Sequence, residues 1–202
     1  RADSGRALIY ENGGNDLCVE DEEGTLYEKN FDNNIMFARI SPEGYTAVVT
    51  TSENYDCEMF VYDKKGSLIY ERRCMERVND ISFINESSGC VLSYIMAENG
   101  SLTTAVQKIY FSESDERWTS PGIDTAGLDV FGYNLGAFVL GIDACGYVNE
   151  NGQISSYYCY DGELGGGASS DGMSAVIVNN DDRRKYVMVL FKGGATEPLV
   201  ID

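Results

Sequence analysis

Carboxylates are the only acid–base groups this sequence holds in number. Its 202 residues carry 33 Asp and Glu against 15 Lys and Arg, six cysteines and no histidine, for a net charge of −18. Without histidine, neither a Ser–His–Asp nor a Cys–His nucleophile can be assembled. There is no Gly-x-x-x-x-Gly-Lys phosphate loop and no dinucleotide fingerprint in a βαβ setting. Proton-transfer chemistry would fall to paired Asp or Glu residues, as in glycoside hydrolysis, where two carboxylates flank the scissile bond. Asp80 and Asp129 are the candidate pair, because they occupy similar places in successive repeats of the chain. Arg39, Asn79 and Asp124 are their expected neighbours and complete a candidate ligand site. The competing reading is that these carboxylates cap or hydrogen-bond loops, since so many acidic residues make chance pairs easy.

Metal and redox chemistry find less support. Cys18, Cys57, Cys74, Cys90, Cys145 and Cys159 contain no Cys-x-x-Cys, and a zinc site would need four scattered thiolates. No metal and no cofactor is expected. Cys57 and Cys74 flank the segment 63–66 and would lie near each other on adjacent strands; sequence leaves open whether they form a disulfide. The acidic run Asn179-Asn180-Asp181-Asp182 lacks the spacing of a calcium loop, and Arg183, Arg184 and Lys185 follow at once. It reads as a hairpin tip. Gly165-Gly166-Gly167 reads as a strand in which small residues allow close backbone approach, not as a phosphate loop. Asn85-Glu86-Ser87 and Asn99-Gly100-Ser101 match the glycosylation acceptor pattern. Tyr157, Tyr158 and Tyr160 form a row that offers interface anchors or internal packing. The acidic balance argues against nucleic acid and anionic membrane surfaces, both of which need clustered Lys and Arg.

The elements that must hold these residues announce themselves as a repeat. Val61-Tyr62-Asp63-Lys64-Lys65-Gly66-Ser67-Leu68-Ile69-Tyr70 reads as strand, tight turn, strand, and it is echoed at 19–27, 147–154 and 189–194. The turn glycines Gly24 and Gly66 stand 42 apart, as do Gly152 and Gly194. A second marker, a polar turn ending in Gly before an apolar strand, lies between them: Ser41-Pro42-Glu43-Gly44, Glu86-Ser87-Ser88-Gly89, Tyr133-Asn134-Leu135-Gly136. Interleaved, the two markers predict four strands, A to D, in each period of about 40 residues, the size of a β-propeller blade. No convincing helical periodicity interrupts them. The predicted fold is all-β: a single propeller domain over 1–202 with about five four-stranded antiparallel blades at 1–34, 35–77, 78–123, 124–164 and 165–202. The first blade should lack strand A, which would lie before Arg1. Five blades suit either a closed disc or an arc of a larger propeller, and the arc is favoured. A two-sheet sandwich would explain the strands but not the period.

The string Phe37-Ala38-Arg39-Ile40-Ser41-Pro42-Glu43-Gly44-Tyr45-Thr46-Ala47-Val48, followed by Phe60-Val61-Tyr62-Asp63, resembles the blade pattern of WD40-like propellers. The Trp-Asp dipeptide and Gly-His signature of true WD40 repeats are absent, and the single tryptophan, Trp118, precedes Thr119. The chain also resembles propeller domains of Gram-positive bacteria that follow an N-terminal transmembrane helix. The resemblance is specific for architecture; the repeats, the absent catalytic signature and the acidic surface lead to the expectation of a non-enzymatic binding or scaffolding propeller at the extracytoplasmic cell envelope, held by an anchor outside these 202 residues, with a protein, peptide or glycan partner. The alternative is a carboxylate-dependent, carbohydrate-active enzyme working in the propeller channel through Asp80 and Asp129.

Overall fold

The computed structural model describes residues 2–3, 5–98, 100–112, 118–170, 172–180, 185–192 and 197–201. Every regular element among them is a strand, and the strands form five four-stranded antiparallel sheets. Blade 1 holds β1 Ala2–Asp3, β2 Arg6–Tyr10, β3 Asp16–Asp21 and β4 Gly24–Asn30. Blade 2 holds β5 Ile35–Ile40, β6 Thr46–Thr50, β7 Cys57–Tyr62 and β8 Leu68–Cys74. Blade 3 holds β9 Val78–Ile84, β10 Gly89–Glu98, β11 Ser101–Tyr110 and β12 Trp118–Thr119. Blade 4 holds β13 Gly127–Tyr133, β14 Gly136–Gly141, β15 Ala144–Asn149 and β16 Ile154–Cys159. Blade 5 holds β17 Glu163–Ser170, β18 Met173–Asn180, β19 Lys185–Lys192 and β20 Leu199–Ile201. Within each blade the strands pair in chain order, as a propeller requires.

One expectation is corrected. The first blade does have its strand A: Ala2 and Asp3 lie opposite Ala7 and Arg6. The chain reverses there through Gly5, whose φ of 76° falls in the left-handed region that costs glycine least. Several sequence features lie outside the described residues, among them Ser4, the acceptor Asn99, the turn residues 113–115, the run Asp181–Arg184 and the glycines 193–194.

The repeated turn has a repeated chemistry. In blade 2 the Asp63 carboxylate accepts the N–H groups of Lys65 at 2.9 Å and Ser67 at 2.8 Å. In blade 4 the Asn149 side-chain oxygen accepts those of Asn151 at 3.0 Å and Gln153 at 3.1 Å. Such side-chain mimicry of a backbone turn is why Asp and Asn suit this position. Beside it the strand register slips by one residue, at Val61/Tyr62 and at Tyr147/Val148, and again in blade 1 at Val19/Glu20. These bulges add local twist.

Four apolar cores hold the blades together, one between each neighbouring pair. Leu8, Leu17 and Val19 of blade 1 pack with Val48 and Tyr62 of blade 2. Ala47, Met59 and Val61 pack with Ile81, Leu92 and Ile109 of blade 3. Val91 and Val106 meet Val130, Ala137 and Val139 of blade 4, and Phe138 and Tyr147 meet Val176, Val189 and Phe191 of blade 5. Strands β6 and β14 are therefore buried along their whole length, whereas β18 alternates between buried and exposed positions. The five blades form an arc and not a closed ring.

A ladder of polar contacts ties the innermost strands across blade boundaries. Arg39 on β5 pairs with Asp80 on β9 at 2.6 Å. The other Asp80 oxygen accepts the Val130 N–H on β13 at 2.9 Å. Next to it the Asn79 amide donates to the Gly127 carbonyl at 2.9 Å. The glycine-rich strand β17 continues the inner row. A Cβ on Gly167 would come within 2.8 Å of Leu140 in blade 4, so glycine permits the approach. Farther out, the turn before β10 places Asn85, Glu86 and Ser87 consecutively at φ 50°, 54° and 64°. Left-handed backbone is costly for residues with a Cβ. The buried Ser87 hydroxyl offsets part of that cost, meeting Ser41 Oγ at 2.6 Å and the Glu43 carboxylate of blade 2.

Candidate functional site

A cleft of about 940 Å3 lies at the end of blades 4 and 5 where strands A and B are joined. Two aromatic rings form its wall. Tyr133 ends β13 and Tyr147 lies on β15, and their rings stack with centroids 6.1 Å apart and planes 27° from parallel. The strand between them begins at Gly136, with φ 149°, where a Cβ would strike the Val148 carbonyl. Glycine there lets the turn 133–136 fold tightly over the tyrosines.

That turn is held from both sides. The buried Lys108 ammonium of blade 3 donates to the Asn134 carbonyl at 2.8 Å, and the Tyr147 hydroxyl reaches the Leu135 carbonyl at 3.4 Å. The Leu135 side chain consequently projects outward, 65% exposed. Tyr133 shares a 2.7 Å hydrogen bond with Ser174 of blade 5, which in turn meets Ser169 at 2.6 Å. Burial pushes the Tyr133 hydroxyl up to about 12, and burial also raises Tyr147. Both rings stay neutral near pH 7 and act as hydrogen-bonding surfaces, not as bases or nucleophiles.

The rim adds Asn134, Ser170, Glu150 and Lys192. Among the described residues Glu150 is the one carboxylate lining the cleft, and glycosidic cleavage needs two. Among the described residues no three His, Cys, Asp or Glu side chains converge as a metal site would require. The stacked tyrosines, the exposed leucine and the polar rim offer apolar contact and hydrogen bonds to a ligand.

The residues singled out from sequence lie elsewhere. Arg39 and Asp80 are brought together, but as a tie between blades 2, 3 and 4. Burial raises the Asp80 carboxyl and the Arg39 charge pulls it back down, while Asp129 nearby pushes it up. With one oxygen on Arg39 and the other on Val130, Asp80 is 3% exposed. Asn79 spends its amide on Gly127. Asp129 is half-buried and Asp124 exposed, and the Asp124 carbonyl accepts from the Tyr157 hydroxyl at 3.0 Å. None of these residues lines the cleft. In the tyrosine row, Tyr158 and Tyr160 pack against the core between blades 4 and 5, and Tyr157 stays exposed.

Cys57 and Cys74 face each other in register and are both buried free thiols. Contact with the Cys74 thiol draws Cys57 below the ordinary thiol value and pushes Cys74 up.

Sequence reasoning passed over Tyr133, Leu135 and Tyr147. The available signal was the Tyr133-Asn134-Leu135-Gly136 turn, which places an aromatic and a leucine where other repeats carry Ser, Pro, Glu or Asp.

A model of DUF5711, a family of unknown function, matches residues 2–120. The chain belongs to that family. No curated protein matches it. Several solved structures share its fold. One is a functionally unknown protein from Desulfotomaculum acetoxidans, with TM-score 0.67 and 8% identity over 98% of this chain and 66% of that one. The Neurospora crassa Pan2 WD40 domain aligns with TM-score 0.59 and 14% identity over 92% of this chain and 59% of that one. BBS1N, solved in complex with ARL6DN, aligns with TM-score 0.61 and 9% identity over 96% of this chain and 64% of that one. The DUF5711 chain thus spans 59% to 66% of these structures' lengths. At such identities the likeness establishes a WD40-like propeller fold and nothing finer.

Proposed function

We propose that this chain is a non-enzymatic propeller that binds a protein partner, seating a peptide or loop in the cleft between blades 4 and 5. The observation that carries the reading is the preorganised rim. An exposed leucine stands beside a stacked, neutral tyrosine pair, on a turn whose carbonyls are already tied down. Interfaces draw their energy from such aromatic and aliphatic anchors ringed by polar groups, and a fixed turn lowers the ordering cost of binding. Fold-level analogy supports the class of function: BBS1N was solved in complex with ARL6DN, and another propeller neighbour, with TM-score 0.51, comes from the mitotic checkpoint complex. The net charge of −18 favours a partner with basic flanks. We place the protein at the cell envelope on its resemblance to anchored propellers; fractionation of cells expressing the native gene tests that placement.

The binding reading is tested by selecting peptides from a random display library on the wild-type protein. Selected peptides should lose at least about tenfold in affinity on Leu135→Asp or Tyr133→Ala, with the melting temperature of Leu135→Asp unchanged. Binders that ignore both substitutions would move the site elsewhere and end the cleft assignment.

A further inference from the structure

Blade 2 carries a chemistry that the cleft does not use. Strands β7 and β8 form the outer hairpin of that blade, and their ladder ends with Cys57 directly opposite Cys74. Residues opposite each other on neighbouring antiparallel strands hold their Cβ atoms about 4.5–5.5 Å apart, and a disulfide sets them at about 3.5–4.5 Å. A small approach of the strand ends is therefore enough to join the sulfurs. Both are free thiols, 0% and 2% exposed, in one apolar core with Ala47, Met59 and Ile81. Cys90 shares that core but stands on β10 of blade 3, opposite Phe83 and Ile109 and not opposite either thiol. Access comes through the strand ends. Cys57 opens β7 directly after the exposed Asp56, and Cys74 closes β8 directly before Met75, Glu76 and Arg77, all exposed. The Asp56 N–H donates to the Cys74 carbonyl at 3.1 Å and holds this end shut; local opening there uncovers both sulfurs. Contact with the Cys74 thiol, the Val78 N–H and the Arg77 charge draw Cys57 down to about 7, while burial and the Asp56 charge push it up. Cys74 is pushed up, first by its contact with Cys57 and then by burial. Cys57 is thus the attacking sulfur and Cys74 the resolving one.

We propose that Cys57 and Cys74 are a modification site: they undergo thiol–disulfide exchange with a low-molecular-weight disulfide and close a reversible cross-strand clamp on the outer hairpin of blade 2. This does not rest on the cleft reading. The Cys57 thiolate attacks one sulfur of the disulfide RS–SR, forming Cys57–S–SR and releasing RS−. Cys74 then gives up its proton, and its sulfur attacks Cys57 Sγ, forming the Cys57–Cys74 bond and releasing a second RS−. The two cysteine protons end on the two released thiolates. The protein dithiol loses two electrons and RS–SR gains them. The new bond ties off the hairpin at residues 57–74, so the outer strand β8 can no longer peel away from β7 at this end.

Oxidised glutathione is the probe, applied to the 202-residue chain carrying Cys18→Ser and Cys159→Ser, which removes the two cysteines that are not buried. After incubation the mass should fall by that of two hydrogens, with no glutathione retained. Tryptic digestion should yield two peptides joined through Cys57 and Cys74, and dithiothreitol should reverse both changes. The oxidised form should melt about 5 °C or more above the reduced form. Adding Cys74→Ser should stop the exchange at its first step and leave one glutathione on Cys57, whereas adding Cys57→Ser should leave Cys74 unmodified. A chain that keeps all four remaining thiols free would overturn the proposal. So would a linkage through Cys90 or Cys145, or a glutathione on Cys57 that Cys74 fails to displace. An oxidised form that melts below the reduced one would overturn the clamp, since the bond would then strain the hairpin and not hold it.

Discussion

Blades 2 to 4 and blades 1 and 5 are built from the same four strands and the same turns, yet they solve different burial problems. In the inner blades both faces of the central strands are covered. Strand β6 accordingly reads Thr-Ala-Val-Val-Thr and β14 Gly-Ala-Phe-Val-Leu-Gly, continuous runs without a solvent side. In blade 1 one face is covered, and the other carries Glu20 and Glu28 around Ile9. Blade 5 breaks the rule: it has one covered face but is apolar on both, with Ile177, Met188 and Leu190 outward.

The sharpest way to test that contrast is to cut the same kind of contact at both places. Phe138 is fully buried between blades 4 and 5, its ring 5.0 Å from that of Phe191. Phe138→Ala should cost about 3–5 kcal/mol in urea unfolding, for lost burial and the cavity left behind. A smaller effect would mean that blade 5 packs on blade 4 more loosely than its core implies. Next comes the inner ladder. Asp80→Ala strands Arg39 and should cost about 3 kcal/mol, and replacing both partners by apolar residues (Arg39→Met with Asp80→Leu) should recover most of it. A double variant as unstable as the single would show that Asp80 matters through Val130 and not through the ion pair.

The turn of blade 2 offers a finer comparison with that of blade 4. Asp63→Ala should lose about 1 kcal/mol, and Asp63→Asn little, because Asn149 does the same work. The N–H of Ser67 holds the Asp63 carboxyl below its ordinary value. Its contribution is thus complete above an unfolded-chain value of ~3.9 and is lost as pH falls through the lower folded value. Denaturation measured across that window should separate wild type from Asp63→Asn only on the acid side. Glu86→Gly should raise stability by about 1 kcal/mol by removing one left-handed penalty. Smallest of all, Ile177→Ala should change stability by about 0.5 kcal/mol, as surface substitutions do. A large loss there would show the Ile177 side chain packed and not exposed.

Much of this architecture was legible in the sequence, because turns are local. An Asp or Asn whose oxygen caps the N–H groups two and four residues on, with glycine between, announces itself in a window of five residues. The first strand was not legible: two residues show no period. The inner ladder was half legible. Asp80 and Asp129 stand at similar places in their blades, but which atoms they reach depends on the lateral stacking of blades, and no spacing encodes that. The cleft was hidden for a similar reason. Tyr133 and Tyr147 belong to different strands and meet only because β14 runs between them and Gly136 carries no side chain.

The order of strands within a blade has a consequence for how the protein is made. Each blade is one uninterrupted stretch of chain, and its hydrogen-bond partners are the strands immediately before and after. A blade can therefore close on itself as soon as its last strand has left the ribosome, without waiting for distant sequence. The polar tie from Arg39 to Asp80 and on to Val130 is then added one step at a time, like successive stitches. Synthesis that halts partway would leave a shorter arc, whole in every blade but the last.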